Sequence, residues 1–285
     1  MQWFGRRESS NVDDRRGMSG GGIATGGGII GIIVYLVYSF LSGNSIDPSQ
    51  IPPLSSDTRT TTLSPEEQQA DDKRAAFVKV VLADTEDIWG ELFKKNGKQY
   101  VDPTLVLYRG QVASACGGAS AASGPFYCPG DSKLYVDLSF YEDMQTKLNA
   151  PGDFAMAYVI AHEVGHHIQN MNGTAAKISQ LRQQSDEATS NQYSVMMELQ
   201  ADFYAGVWAH YEQQKKNIIE EGDIAEALNA ANAIGDDRLQ KQSSGVVVPD
   251  AFTHGSSQQR VYWFKKGYDT GDITQGNTFA ELSKN

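Results

Sequence analysis

The chain has 285 residues, with 24 Lys+Arg against 35 Asp+Glu, a formal charge of −11, and two cysteines. Hydrophobic residues make up 40%, enough for a core, which excludes wholesale disorder. The acidic balance excludes nucleic acid as the main partner, because phosphate binding needs a basic face; two cysteines exclude a cysteine-rich zinc finger or a dense disulfide scaffold.

Arg6, Arg7, Arg15 and Arg16 come first, and residues 17–46 carry no charge. Ile23–Leu41 is apolar and, as a helix, about 28 Å long, close to the hydrocarbon thickness of a bilayer. Tyr35 and Tyr38 lie near its outer end, and no Lys or Arg follows until Arg59. The positive-inside bias predicts a cytoplasmic tail (1–22), a single transmembrane anchor (23–41) and everything beyond it outside, an inner-membrane protein with a periplasmic domain. A cleaved signal peptide is the competing reading; the apolar run is long for one, and no small-x-small cleavage site follows. The glycines here are not a phosphate loop, since no strand precedes them and no Lys-Ser/Thr follows. Gly27 and Gly31 form a G-x-x-x-G, weak evidence of helix pairing in so glycine-rich a stretch. Residues 42–63, rich in Pro, Ser and Thr, read as an extended linker.

The globular part is expected over 64–285. Ser64-Pro65-Glu66-Glu67 is a helix start, and the apolar spacing from Phe77 to Leu92 carries that helix to Lys95. Leu105–Tyr108 and Leu134–Leu138 read as strands. Between them, Gly110–Gly130 reads as one long loop. It holds Cys116 and Cys128, which an oxidising compartment lets pair; two buried free thiols are the alternative. Asp153 is the expected cap of a helix beginning Phe154–Ala161, apolar nearly all round and therefore buried. Asp186–Gln214, Asp223–Ile234 and Ser256–Tyr268 read as further helices, the last capped by Ser256. With few, early strands, the class is α+β, predominantly helical.

His162-Glu163-Val164-Gly165-His166 lies in the buried helix. Histidines four apart share one face, so both imidazoles can hold one zinc ion. Glu163, beside the ion, can take a proton from water and pass it to a leaving amine. A chance match on a polar helix face is the rival reading, but burying these groups without partners would cost several kcal/mol. His167 points about 100° from His166 and is expected outside the ligand set, in an outer layer or at the surface. The metzincin continuation is missing, because Gln169 and Asn172 stand where glycine and histidine would be needed. Glu198 is the candidate third ligand. Asp202, four residues on, shares its face and is expected to accept the distal N–H of a zinc histidine, His162. An ordinary solvated acidic pair would be mildly repulsive. Ala201, Ala205, Gly206 and Gly165 are small enough for the two helices to approach closely.

This set of motifs resembles the bacterial putative neutral zinc metallopeptidase family. The matching pieces are Ser114-Ala115-Cys116-Gly117, Gly124-Pro125-Phe126-Tyr127-Cys128-Pro129, His162–His166, Glu198–Gly206 and Phe252-Thr253-His254-Gly255-Ser256. The resemblance implies a membrane-anchored, zincin-like domain with His162, His166 and Glu198 on zinc and Glu163 as catalytic acid/base, and it supplies no substrate; the zinc-endopeptidase reading of these residues takes a peptide or protein. In zincins a substrate pairs with an edge strand above the active-site helix, and Leu134–Leu138 is the expected strand. His254 is the candidate donor to the developing oxyanion, with Tyr193 and Arg260 as further ones; a capping role for His254 stays open. Two rivals remain: a deformylase-like hydrolase with Cys116 as third ligand, and an anchored zinc-containing binding module without hydrolysis. Oligomeric state is not readable.

Overall fold

The computed structural model describes residues 1–17, 63–120 and 123–282. One compact unit consists of Met1–Arg15 and Gln69–Asn285; the other is Arg16–Gln68. In chain order the elements are β1 (Val12–Asp14), α1 (Pro65–Lys95), β2 (Thr104–Tyr108), β3 (Gln111–Ser114), β4 (Gly117–Ser120), β5 (Phe126–Cys128) and β6 (Lys133–Asp137). The helices α2 (Phe140–Thr146), α3 (Asp153–Met171), α4 (Thr174–Gln183), α5 (Glu187–Tyr211), α6 (Asp223–Ala233), α7 (Asp236–Ser244), α8 (Ser257–Thr270) and α9 (Thr278–Leu282) follow. A π-helical turn, Glu212–Lys216, extends α5.

The main sheet runs β1-β2-β6-β5, parallel except for β5, which is antiparallel at the edge beside β6. β2 and β6 are buried on both sides, which explains their near-continuous apolar sequences. Leu105, Leu107, Leu134 and Val136 join the helical core, whereas Val106, Tyr108 and Tyr135 form a smaller cluster with Val112 and Cys128. The stretch expected to be one loop instead contains the β3–β4 hairpin and β5. Its Gly, Ala and Ser residues give little strand signal, and it is stapled by a Cys116–Cys128 disulfide. Leu134–Leu138 is not the edge: β6 has a neighbour on each side, and among the described residues the edge strands of this sheet are β1 and β5.

The expectation of one transmembrane anchor is corrected. Among the described residues no helix is long and apolar enough to cross a membrane. Ile23–Leu41 and the 42–62 stretch lie outside the described residues. Moreover, Met1–Asp14 is built into the fold that was expected across a bilayer from it. Val12, Asp13 and Asp14 pair with Leu105, Val106 and Leu107, Arg6 binds Asp84 through both guanidinium nitrogens, and Arg7 binds Glu86 and Asp87. A single crossing between residues 17 and 64 would tear β1 from β2. The predicted arrangement, with a cytoplasmic N-terminus and a periplasmic domain, therefore does not hold. The fold is a mostly helical α+β structure with two small sheets.

The helices come together at small residues. A Cβ on Gly165 of α3 would sit 2.9 Å from the Ala201 backbone of α5. At the α5–α8 crossing, a Cβ on Gly206 would lie 2.0 Å from the Phe264 carbonyl oxygen, and one on Gly267 would lie 2.1 Å from that of Phe203. The capping signals act largely as expected. Ser256 forms a capping box with Gln259, and Asp186 accepts from the Thr189 N–H. For α3, however, the cap is Gly152, and Glu226 from α6 accepts the Phe154 N–H in place of Asp153.

Gly206→Ala is expected to destabilise the protein by about 1–3 kcal/mol through overpacking. Gly90→Ala, in α1 with open space around it, should stabilise by about 0.5–1 kcal/mol. Denaturant unfolding of the two variants checks this contrast. A second test concerns Glu212, fully buried below the N-terminal arm, where Lys216 Nζ stands 3.4 Å away and neither carboxylate oxygen has a well-formed hydrogen bond. Burial, and then Asp84, push its carboxyl up to about 8 against Lys216 and Arg6. The fold thus holds a proton that the unfolded chain releases, and that stabilisation is complete below the ordinary Glu value and lost as pH rises toward 8. Glu212→Gln should therefore gain stability relative to wild type between pH 5 and pH 9, measured by unfolding at both; an equal difference at both pH values would contradict the assignment.

Candidate active site

α3 and α5 supply the centre. The four-residue spacing puts the His162 and His166 rings side by side, centroids 4.8 Å apart and perpendicular. From α5, Glu198 Oε2 lies 3.1 Å from His162 Nε2, and Oε1 lies 3.4 Å from His166 Nε2. One ligand atom from each of the three residues falls within 4.8 Å of the others. Ligand atoms about 2.0–2.1 Å from a tetrahedral zinc would stand roughly 3.3 Å apart, so these contacts have the right scale.

The far nitrogens are held as well. Asp202 Oδ1 lies 2.8 Å from His162 Nδ1, and a carboxylate only accepts, so Nδ1 carries the hydrogen and Nε2 faces the centre. For His166 the partner is Gln169, whose Oε1 is 2.9 Å from Nδ1 and whose amide donates to the Met197 carbonyl at 2.7 Å. Gln169 was not picked out from the sequence. Its signal was faint: a fully buried amide three residues after a candidate ligand, on the same face. Asp202 also accepts from Tyr158 Oη at 2.5 Å and from Arg260 twice, Nε to Oδ2 at 2.8 Å and Nη2 to Oδ1 at 2.9 Å. Arg260 is thus committed to Asp202, which argues against its use as an oxyanion donor.

The charges follow from this packing. Burial pulls the His162 pKa down, but Asp202 and Glu198 outweigh it and lift it to about 10. Burial favours a neutral Asp202, yet Arg260 and His162 hold it at about 2. Glu198 is likewise kept well below the usual range by the two histidines despite burial. Glu163 is raised, chiefly by burial, against the pull of His166 and His162. With neutral imidazoles, the carboxylates of Glu163, Glu198 and Asp202 stand against the single guanidinium of Arg260, a deficit that one dication cancels. Donor type, spacing and charge all fit a divalent metal held by His162, His166 and Glu198.

The centre opens into a cleft of about 480 Å³. One wall is Gly124–Tyr127, leading into and along the edge strand β5; Val159 lines the cleft from α3, Ile234 from the α6–α7 turn and Leu239 from α7. His254 also lines the cleft, half-exposed, with Nδ1 3.2 Å from Asp236 Oδ1. The other Asp236 oxygen accepts the backbone N–H groups of Thr253, His254 and Gly255. Asp236 raises the His254 pKa against burial. Tyr193 lines a different cavity, with Thr174, Lys177 and Tyr204. Cys116, tied to Cys128, has no thiolate to offer a metal, which removes the deformylase-like ligand set.

The sequence profile of the putative neutral zinc metallopeptidase family matches residues 1–279. The uncharacterized protein YpfJ of Escherichia coli (strain K12) is 52% identical over 290 residues, covering 99% of each chain. The uncharacterized protein Rv2575 of Mycobacterium tuberculosis (strain ATCC 25618 / H37Rv) is 42% identical over 191 residues, 64% of each chain. No solved structure matches.

Gln169→Leu should leave the helices intact but free the His166 ring, weakening zinc binding about 10–100-fold. Competition against a chromophoric chelator, with far-UV circular dichroism as the control, measures this.

Proposed function

The chain belongs to the putative neutral zinc metallopeptidase family, and we propose that it is a zinc-dependent endopeptidase cleaving internal peptide bonds of proteins or peptides. The observation that carries this reading is the convergence of His162 Nε2, His166 Nε2 and Glu198 in a cleft that also holds a carboxylate outside that set, Glu163. Held by those three residues, zinc supplies Lewis acidity, polarising the scissile carbonyl and sharpening the nucleophilicity of water. Glu163 takes the proton from the attacking water and returns it to the departing amine; its raised proton affinity suits both transfers.

Among the described residues β5 has an unpaired edge beside these groups, so an extended peptide gains main-chain hydrogen bonds whatever its sequence. His254, turned by Asp236 so that Nδ1 points away from the reaction, donates from Nε2 as its imidazolium to the developing oxyanion. The endopeptidase assignment rests on the charges of the cleft. Among the described residues its carboxylates are those of Glu163 and Glu198, its guanidinium belongs to Asp202, and no lysine lines it. His254, the remaining charged group of the lining, is held by Asp236 and assigned to the scissile carbonyl, so none of these groups is set aside to grip a terminal amine or carboxylate.

Glu163→Gln should keep one zinc per chain and lower hydrolysis of unfolded casein at least about 100-fold, the scale of a lost general base. His254→Ala should keep zinc and lower kcat about 100-fold, whereas Glu198→Ala should lose the metal itself. Elemental analysis alongside peptide mapping of the digest distinguishes the three. An inactive wild type carrying full zinc would favour a binding module instead.

A further inference from the structure

We propose that His167 is a positioning residue: with Asn170 it pins the Tyr127 side chain and so fixes the edge strand β5 against the metal-ligand helix. As a role in catalysis this rests on the peptidase reading above; as a mechanical link it stands on geometry alone. His167 follows His166 directly and, at about 100° per residue, leaves the ligand face. The sequence placed it in an outer layer or at the surface, and it is in fact 2% exposed. Both ring nitrogens are engaged. Nε2 lies 2.7 Å from the Val101 carbonyl oxygen, which can only accept, so Nε2 carries the hydrogen. Nδ1 is then the acceptor, and Tyr127 Oη donates to it at 3.1 Å. Asn170 Nδ2 donates to the same Tyr127 oxygen at 2.9 Å. The His167 ring meets those of Tyr127 and Tyr100 edge-on, with centroids 5.4 and 5.7 Å apart.

β5 needs such a link. It is three residues long and has one neighbour, β6, so its ladder is short and one side stays open. Yet Tyr127 lines the same cleft as Glu163. One residue of the strand thus borders the candidate base on one side and is held to the same helix through its hydroxyl on the other. A hydroxyl held by two side chains of α3 sets the distance between strand and helix, and with it the position of a peptide laid along β5.

The test uses the full chain and Tyr127→Phe, which removes one oxygen and keeps the ring. The double variant Tyr127→Phe/His167→Gln serves as the partner measurement. Amide hydrogen exchange over residues 126–128, zinc content, and casein hydrolysis are read together. The pin predicts faster exchange in that segment, unchanged zinc, a melting temperature lowered by only a few degrees, and KM raised about five- to tenfold with kcat within about twofold. It also predicts that the double variant adds little to the single one. Unchanged exchange in Tyr127→Phe overturns the proposal. So does a fall in kcat or zinc at constant KM, which would mean that the pair acts on the metal centre. A wild type that does not cleave casein sinks the peptidase reading, while the exchange measurement still decides the pin.

Discussion

The buried Asp202 carboxylate is the constraint around which the centre is arranged. It accepts from His162 on α3, from Tyr158 one turn earlier, and from Nε and Nη2 of Arg260 on α8. One fully desolvated anion therefore ties together three helices, and a buried charge is tolerated only when paired and fully hydrogen-bonded. Removing any partner leaves the rest uncompensated, so orienting the imidazole and cohering the helices are the same interaction. Arg260 in turn reaches the Ile234 carbonyl at 3.4 Å, extending the network to the α6–α7 turn, whose next residues carry Asp236 and thereby His254.

The two histidines are held by unlike partners, a carboxylate for His162 and an amide for His166. A second buried anion beside Asp202, Glu198 and Glu163 would raise the deficit beyond what one dication neutralises. Gln169 fixes a ring without adding charge, and its amide is itself satisfied by the Met197 carbonyl on the turn bearing Glu198. The His166 support thus also registers α3 against α5.

Legibility in the sequence followed the range of the signal. His162, Glu163 and His166 sit four residues apart or closer, and Glu198 and Asp202 repeat the helical spacing, so local periodicity alone suggested a shared face. Helices α1, α3, α5, α6 and α8 and the two apolar strands were readable for the same reason, whereas the short helices α2, α4, α7 and α9 were not. What escaped depended on partners distant in sequence. β1 is three residues whose strand character exists only through Leu105–Leu107, 93 positions away, and Arg6 and Arg7 before it resembled a charge bias when they were ion-pair partners of α1. β5 hid in a Gly/Ser-rich stretch because a short edge strand held by side chains needs little intrinsic propensity. Asp236 looked like an ordinary acid in a first helical turn, although its oxygens organise the loop of His254.

The size of the candidate metal centre is set by backbone, not by rotamers. Long side chains between α3 and α5 would allow slack, and Glu198 could then drift relative to the histidines. Gly165 against Ala201 removes that slack, because peptide groups in contact have no torsions to adjust. The same device recurs where Gly206 meets Phe264 and Gly267 meets Phe203, which fixes α8, and therefore Arg260, against α5. At the α7–α8 junction, Gly235 lies against Ser257, so the segment bearing Asp236 is seated on the start of the helix that carries Arg260. Each close approach stands within a few residues of a group whose position matters to a fraction of an ångström. The glycines therefore carry the geometry of the site as surely as the polar residues do, although none of them touches it.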